Sequence, residues 1–552
     1  MSASPDPGAA SAVPPAASAP VVPVAPAALP AGGRGVRVLR NVVTNYGRTL
    51  ISGLIGIALT RFLLHALGAD QYGLWATIFA LTGYFGLFDQ GIRPSLVRYL
   101  SRDHARGDAD GMRRTVSSAL LLYAGVGAIV MALTVAAAAG LPLLLRHLDP
   151  ARMPEARAVV LIAGASLAIG FPLGVFGAAL SGLQRYDIAN VIGTAVTVLR
   201  ALLFVVVLKA GTGLVGLAWA SLAMNLLGHG LSWLWVRRLV PGLEGRWAHV
   251  SRPQLKLLGA YSSFAVLGAV AERVNFQSDA LVIAALLGTA LVTPFSLATT
   301  LVDIPRTLVY GASFVLAPTA SELDTRGEHD TLHAMVVAGA RYSILLAWPV
   351  LFALIVFGSN ALLTWVPPDR RAAAVQAAPI LVLLAAPTLV SLPQATAASV
   401  LYGVSRHRGV VALSLATAIA NLGLSLLWAK PYGLMGVALG TAVPLVLIGG
   451  IVMFVYTTRA LRLSPARYLA EGWLKPALLT VAFVAPAVVV QRLWHPVGVL
   501  PLLAAVLGCW LVFALVAWRF GLPDAERRRW ARMVRGLIGA PPAPAAKDAS
   551  CA

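Results

Sequence analysis

Charged residues lie inside segments otherwise apolar enough for a bilayer, among them Arg48, Arg61, Arg93, Arg200, Arg273 and Arg306, with Asp89, Glu272, Asp279 and Asp303. A charge near the midplane costs about 3 kcal/mol on insertion scales, so it normally faces a polar interior or a solvated cavity. The planar guanidinium donates two parallel hydrogen bonds and keeps its charge when desolvated, which suits a pyrophosphate. Several arginines at membrane depth therefore point to a cationic cavity and an anionic cargo. The acids beside them either neutralise the arginines in the empty state or carry Na+ or H+ as a coupling ion. Asp89, Glu272, Asp279 and Asp303 are the candidates for that second role.

Helical spacing sorts these groups. Glu272, Asn275 and Asp279 recur at three and four residues and share one stripe, with Arg273 and Gln277 on the adjoining stripe. Asp303 and Arg306 are three apart, and Asp89 and Arg93 four apart. Those two pairs read equally well as ion pairs that hold packing. Arg200 has no acid on its own helix. Arg48 lies about two turns in from one end of its segment and Arg61 near the other end, where snorkelling would satisfy either. Arg273, with Glu272, sits within 257–287 near the middle of a segment and is the strongest cavity residue.

The elements that must position them follow from composition. The 552 residues are 58% hydrophobic and 12% charged, with mean hydropathy +0.80. This is an all-α polytopic membrane protein, not a soluble domain. The net charge of +21 and pI near 10.8 do not imply nucleic acid, because the basic residues lie between apolar runs rather than on a soluble patch. Cys509 and Cys551 support neither a disulfide framework nor a metal site. No Walker-A pattern occurs. Gly211–Gly216 matches GxGxxG but lies between two apolar runs, and Asp108 with Asp110 reads as a solvated loop. No loop is long enough for a catalytic domain, which argues against an enzyme.

A span needs roughly 20 apolar residues, and about 14 segments meet that rule. They lie near 42–65, 71–98, 115–138, 157–180, 188–208, 215–236, 257–287, 291–319, 334–357, 375–400, 410–429, 434–456, 474–491 and 498–518. Pro294, Pro305 and Pro318 predict bends in the eighth. One set of loops carries 27 basic residues and the opposite set eight. The positive-inside rule then places both termini in the cytosol. Residues 1–35 read as a disordered cytosolic tail and 521–552 as a basic one.

The two halves resemble each other at a shift of about 220 residues. Arg106-Gly-Asp108 falls on Arg326-Gly-Glu328, and Leu67-Gly68 on Leu287-Gly288. Ser181–Arg185 falls on Tyr402–Arg406 with one gap, and Lys209–Gly216 on Lys430–Gly436. This predicts a six-helix bundle over 36–240, a second over 241–460 in the same orientation, and two additional helices over 461–520. Parallel-repeat transporters hold substrate between such halves and alternate access by rocking them.

The stretch Asn41–Asn45, the turn Leu67-Gly-Ala-Asp-Gln-Tyr-Gly-Leu74 and Gly86-Leu-Phe-Asp-Gln-Gly-Ile92 resemble the polysaccharide-flippase branch of the multidrug/oligosaccharidyl-lipid/polysaccharide exporter superfamily. The resemblance covers about residues 36–460. It implies a two-lobed fold with a V-shaped central cavity. It also implies flipping of undecaprenyl-pyrophosphate-linked oligosaccharide across the bacterial inner membrane, for exopolysaccharide or lipopolysaccharide assembly. The partners implied are the lipid-linked oligosaccharide, membrane lipids and polysaccharide polymerase machinery. Cationic cavity residues in the family's first, second, seventh and eighth spans point to Arg48, Arg61, Arg93, Arg273 and Arg306. The density of acids beside them departs from that pattern. It leaves open a cation-coupled multidrug antiporter, with Glu272, Asp279 and Asp303 as its key residues, and a peptidoglycan-precursor flippase.

Overall fold

Inside lipid, every backbone N–H and C=O must be satisfied within its own segment, so long apolar runs fold as helices. The computed structural model describes residues 31–260, 263–313, 315–521 and 527, with side chains from Ser52 onward apart from Gly91, Ala260 and 263–266. The described residues are helical, without a strand. Residues up to Ile51 form a unit of their own, and the contacts below are those of Ser52 onward.

In chain order the helices are α1 (Ala31–Gly83), α2 (Asp89–Ala105), α3 (Ala109–Leu144), α4 (Met153–Gly182), α5 (Tyr186–Lys209), α6 (Gly213–Leu239), α7 (Arg252–Ala260) and α8 (Ser263–Leu286). They continue as α9 (Val292–Ser313), α10 (Leu316–Thr325), α11 (His329–Trp365), α12 (Arg371–Ser391), α13 (Gln394–Gly403), α14 (His407–Val446) and α15 (Met453–Leu461). Two further helical stretches, Pro465–Leu493 and Val499–Gly521, follow.

Among the described residues, ten stretches are long and apolar enough to cross a membrane. Two of them hold more than one expected span. Ser52–Phe88 runs through the Gly68 turn (φ 78°, ψ 172°), and His407–Leu461 through Gly433 (φ 58°, ψ −139°). Both conformations are open to glycine and strained for other residues. The charged helices α8 and α9 are not among the ten.

The expected second span, 71–98, is not one α-helix. It tightens into a 3-10 turn over Tyr84–Phe88, and α2 begins afresh at Asp89. The expected eighth span also divides. α9 ends at Ser313 and α10 starts at Leu316. Pro318 falls in the first turn of α10, where its missing N–H costs nothing.

The repeat is written in the backbone. Positive φ occurs at Gly68 and Gly288, at Gly107 and Gly327, and at Gly213 and Gly433, each pair 220 residues apart. Gln184 and Ser405 form a fourth pair, 221 apart. Beyond Gly107 the amide of Asp108 bonds the carbonyl of Asp103 at 3.0 Å, and beyond Gly327 that of Glu328 bonds Leu323 at 3.0 Å. Both are the wide bond that closes a helix end through a left-handed residue. Packing repeats too. A β-carbon at Gly182 would lie 2.8 Å from Leu100 Cβ, and one at Gly403 2.8 Å from Ala320 Cβ.

Separate apolar clusters form around Leu96, Val116 and Leu180 of the first half and around Val336, Val400 and Leu401 of the second, the latter joined by Tyr468 from beyond the repeat. A third runs through both, joining Leu64, Leu74 and Phe204 to Ile283, Phe295 and Leu351. The last two stretches attach to α11 through Phe357, Phe483 and Phe513, with the free thiol Cys509 packed among them.

Candidate functional site

Helix α8 presents two polar faces. One carries Asn275 and Asp279, respectively 8% and 4% exposed, against α14. Asp279 Oδ2 accepts a 2.7 Å hydrogen bond from Thr441 Oγ1, and Oδ1 a 3.3 Å bond from Ser425 Oγ. Asn421 Nδ2 donates to the Asn275 carbonyl at 3.1 Å, and Asn275 Nδ2 to the Ser414 carbonyl at 3.3 Å. Among the described residues no cation pairs with Asp279, while Asn275 Oδ1 is buried without a donor. Glu272, expected on the same stripe, is exposed instead.

The other face carries Arg273 and Gln277 to the first half of the chain. A β-carbon at Gly83 would meet Gln277 Oε1 at 2.6 Å, and one at Gly86 would meet Arg273 Nη2 at 3.3 Å. The 3-10 turn over Tyr84–Phe88 thus offers a glycine-lined notch into which α8 extends its guanidinium. By the 220-residue shift, Gly83 and Gly86 correspond to Asp303 and Arg306. The second half bears an ion pair where the first half leaves room.

Asp303 and Arg306 pair on α9 at 3.2 Å, the arginine side chain 11% and the aspartate 59% exposed. Arg306 also donates to Thr388 Oγ1 at 3.3 Å and lies 4.5 Å over the Phe276 ring of α8. Asp89 and Arg93 pair at 3.6 Å at the start of α2, directly after the notch that receives Arg273. Tyr123 OH donates to Asp89 Oδ1 at 2.6 Å. Arg273 thus reaches the turn that leads into the Asp89–Arg93 pair, and Arg306, paired with Asp303, packs on Phe276 of the same helix α8. Among the described residues Arg273 makes no ion pair.

Two arginines lie apart from this group. Arg200 donates to Asn225 Oδ1 at 2.6 Å, and Asn225 Nδ2 to Ser166 Oγ at 2.8 Å, a relay across α5, α6 and α4. Arg61 Nη1 donates to the carbonyls of Thr364 and Trp365 at 2.6 and 2.9 Å. There it meets the negative end of α11 and satisfies two of its orphan carbonyls, so snorkelling is not needed. Arg48 lies on α1 where side chains fall outside the described residues.

Around Arg61 the halves are fastened together. Trp365 Nε1 donates to the Ile57 carbonyl at 2.8 Å, and Thr293 Oγ1 to the Ala69 carbonyl at 2.5 Å. His65 and Asp369 approach to 3.6 Å. Arg370 lies over Gly68, 3.2 Å from where a β-carbon would be.

Asn421, Ser425, Thr441, Asn225, Tyr123 and Thr388 escaped the reading by charge. The i, i+4 spacing of Asn421 and Ser425 within an apolar helix was the available signal. Asp108 caps α3 by accepting from the Gly111 amide at 2.7 Å, and Asp110 pairs with Arg113 at 3.0 Å, which accounts for both carboxylates structurally.

A family model described as "Polysaccharide biosynthesis protein" matches residues 58–366. A Shigella flexneri protein described as "Putative O-antigen transporter" is 31% identical over 96 residues, 17% of this chain and only 23% of that protein. Solved transporter structures share the fold, and two illustrate it. An inward-facing multidrug resistance MATE family transporter of the MOP superfamily superposes with TM-score 0.61 at 17% identity, over 75% of this chain and 94% of that one. The lipid II flippase MurJ, inward closed, superposes with TM-score 0.63 at 13% identity, over 90% and 100%.

Proposed function

Because the chain belongs to the family of polysaccharide biosynthesis proteins, whose model covers more than half of it, we propose that it flips undecaprenyl-pyrophosphate-linked oligosaccharide across the inner membrane for surface polysaccharide assembly. The observation that carries this reading is Arg273. It is an intramembrane guanidinium without an ion pair among the described residues, held between the two repeated halves. Such a group is costly unless something anionic uses it. Arg93, with 52% of its side chain exposed, and the partnered Arg306 complete a cationic surface for a pyrophosphate.

In this reading the halves 36–240 and 241–460 rock about the cargo, with both termini cytosolic and 461–520 outside the repeat. The contacts around Arg61, Thr293 and Arg370 close the external side, and must part for release. Asp279 is the seat of the coupling ion. A buried carboxylate with only hydroxyl donors is either protonated or accompanied by a cation. Asn421 Oδ1, the Val437 carbonyl and Thr441 Oγ1 all lie along its Ser425–Thr441 network. An all-oxygen set of this kind suits a hard cation such as Na+.

The exposed Glu272 and Asp303 support a second reading, a cation-coupled antiporter of cationic drugs, and a peptidoglycan-precursor flippase would use the same arginines. Gene deletion separates them. An undecaprenyl-pyrophosphate oligosaccharide should accumulate on the cytosolic leaflet while surface polymer is lost. Accumulation of peptidoglycan precursor would reassign the cargo. No accumulation, with new sensitivity to cationic drugs, would reject the flippase.

A further inference from the structure

The segment between the two halves, residues 240–251, takes no part in the transport reading, yet it is firmly held. Ser117 Oγ accepts a 3.1 Å hydrogen bond from the Arg246 amide, and Ser118 Oγ a 3.0 Å bond from the Ser251 amide. The Leu120 side chain fills the space beside Gly245, which turns the chain at φ 82°. This pinned loop presents Trp247 with 79% of its surface exposed. Burial in protein does not explain a tryptophan so displayed, whereas a membrane interface does.

The neighbouring charges differ from one another. Arg237 is neutralised by Glu244 at 2.9 Å, and Arg113 by Asp110 at 3.0 Å. Arg246 is exposed and has no ion-pair partner among the described residues. Between α3, α4 and the loop opens a cavity of about 240 Å³. Leu120, Leu121, Ala124, Pro172 and Val250 line it, with Ser117, Arg246 and Trp247 completing its wall. Ligand pockets for drug-sized molecules run to roughly 300–1,000 Å³. This slot suits a single hydrocarbon chain rather than a glycan.

We propose that the slot is a binding site for an anionic phospholipid of the adjoining leaflet. One acyl chain enters along Leu120, Ala124 and Pro172, the phosphate meets Arg246, and Trp247 lies at the level of the glycerol. The site is separate from the arginines assigned to cargo. Its occupancy does not depend on what the protein transports.

Native mass spectrometry of the full-length protein, titrated with phosphatidylglycerol and with phosphatidylcholine, tests this. Wild type should retain phosphatidylglycerol preferentially. Arg246→Ala should weaken that retention about fivefold, the loss expected for one basic residue at an anionic surface. Ala124→Phe, which fills the slot, should weaken binding of both lipids. Arg238→Ala, on a residue outside the cavity wall, should change neither. Equal retention of the two lipids by wild type, or undiminished phosphatidylglycerol binding by a folded Arg246→Ala protein, would overturn the proposal. Thermal unfolding of each variant establishes that it is folded.

Discussion

The guanidinium of Arg273 lies 3.3 Å from where a β-carbon would stand at Gly86, across the boundary between the repeated halves. The approach exists because the notch has no side chain where the other half carries Asp303 and Arg306. Gly86→Val should displace the guanidinium and reduce polymer export by about tenfold or more, what ~1.4 kcal/mol of lost binding would produce. Arg273→Ala should do the same, with normal amounts of protein in the membrane. Arg273→Lys should not rescue, since an ammonium cannot fork onto a pyrophosphate. Full export by both Gly86→Val and Arg273→Ala would remove Arg273 from the cargo site.

Arg61 should behave differently. Its two bonds both come from Nη1 and go to the end of α11, so a single ammonium can replace much of the interaction. Arg61→Lys should export normally. Arg61→Ala should lower thermal stability by about 1.5–3 kcal/mol, the range for hydrogen bonds to charged groups. Surface polymer and melting temperature, measured on both variants, separate this fastening role from one in cargo binding.

Asp279→Asn keeps the size of the side chain and removes its charge. Melting temperature of the purified wild type should rise with Na+ and not with an equal concentration of choline, as expected when an ion binds the folded state alone. The asparagine variant should show no such difference. Thr441→Val should weaken the Na+ effect without abolishing it. If H+ is the coupling ion, Na+ and choline will act alike on wild type, and Asp279→Asn will instead remove the dependence of export on external pH.

The Arg200–Asn225–Ser166 relay calls for a multiple-mutant cycle. Asn225→Leu strands a half-buried guanidinium and should cost about 1–3 kcal/mol. Arg200→Met combined with Asn225→Leu and Ser166→Ala should recover most of that loss, because an apolar replacement of all three partners leaves none of the relay's polar groups unsatisfied. Denaturation in detergent measures the coupling. Additive losses would show that the three residues do not act together.

The helices, the repeat and the charged positions were legible in the sequence for definite reasons. Apolar run length selects the helices, and Gly107 with Gly327 or Gly213 with Gly433 mark the same turns because few other residues tolerate those dihedrals. Charge at membrane depth exposes Arg273 and Asp279 directly. What they touch was not legible. The partners of Asp279 come 146 and 162 residues later in the chain, as ordinary hydroxyls brought together only by the bend at Gly433. The notch at Gly83 and Gly86 is defined by missing side chains, and glycine is too common here for two of them to stand out. Arg61 resembles Arg273 in type but lies near the end of its segment, where sequence offers only snorkelling to satisfy it. The carbonyls at the end of α11 that it meets instead come 303 and 304 residues later in the chain.

Six residues along α8 separate Arg273 from Asp279, which sets their side chains about 120° apart around the helix axis. One residue engages the first half of the chain, the other is locked to α14 of the second. A rigid cylinder gripped on two sides cannot turn on one alone. On the proposed assignment, free energy that an ion at Asp279 spends on the pose of α8 would be felt by an anion at Arg273, and thermodynamic reciprocity would then require the anion to change ion affinity by the same factor.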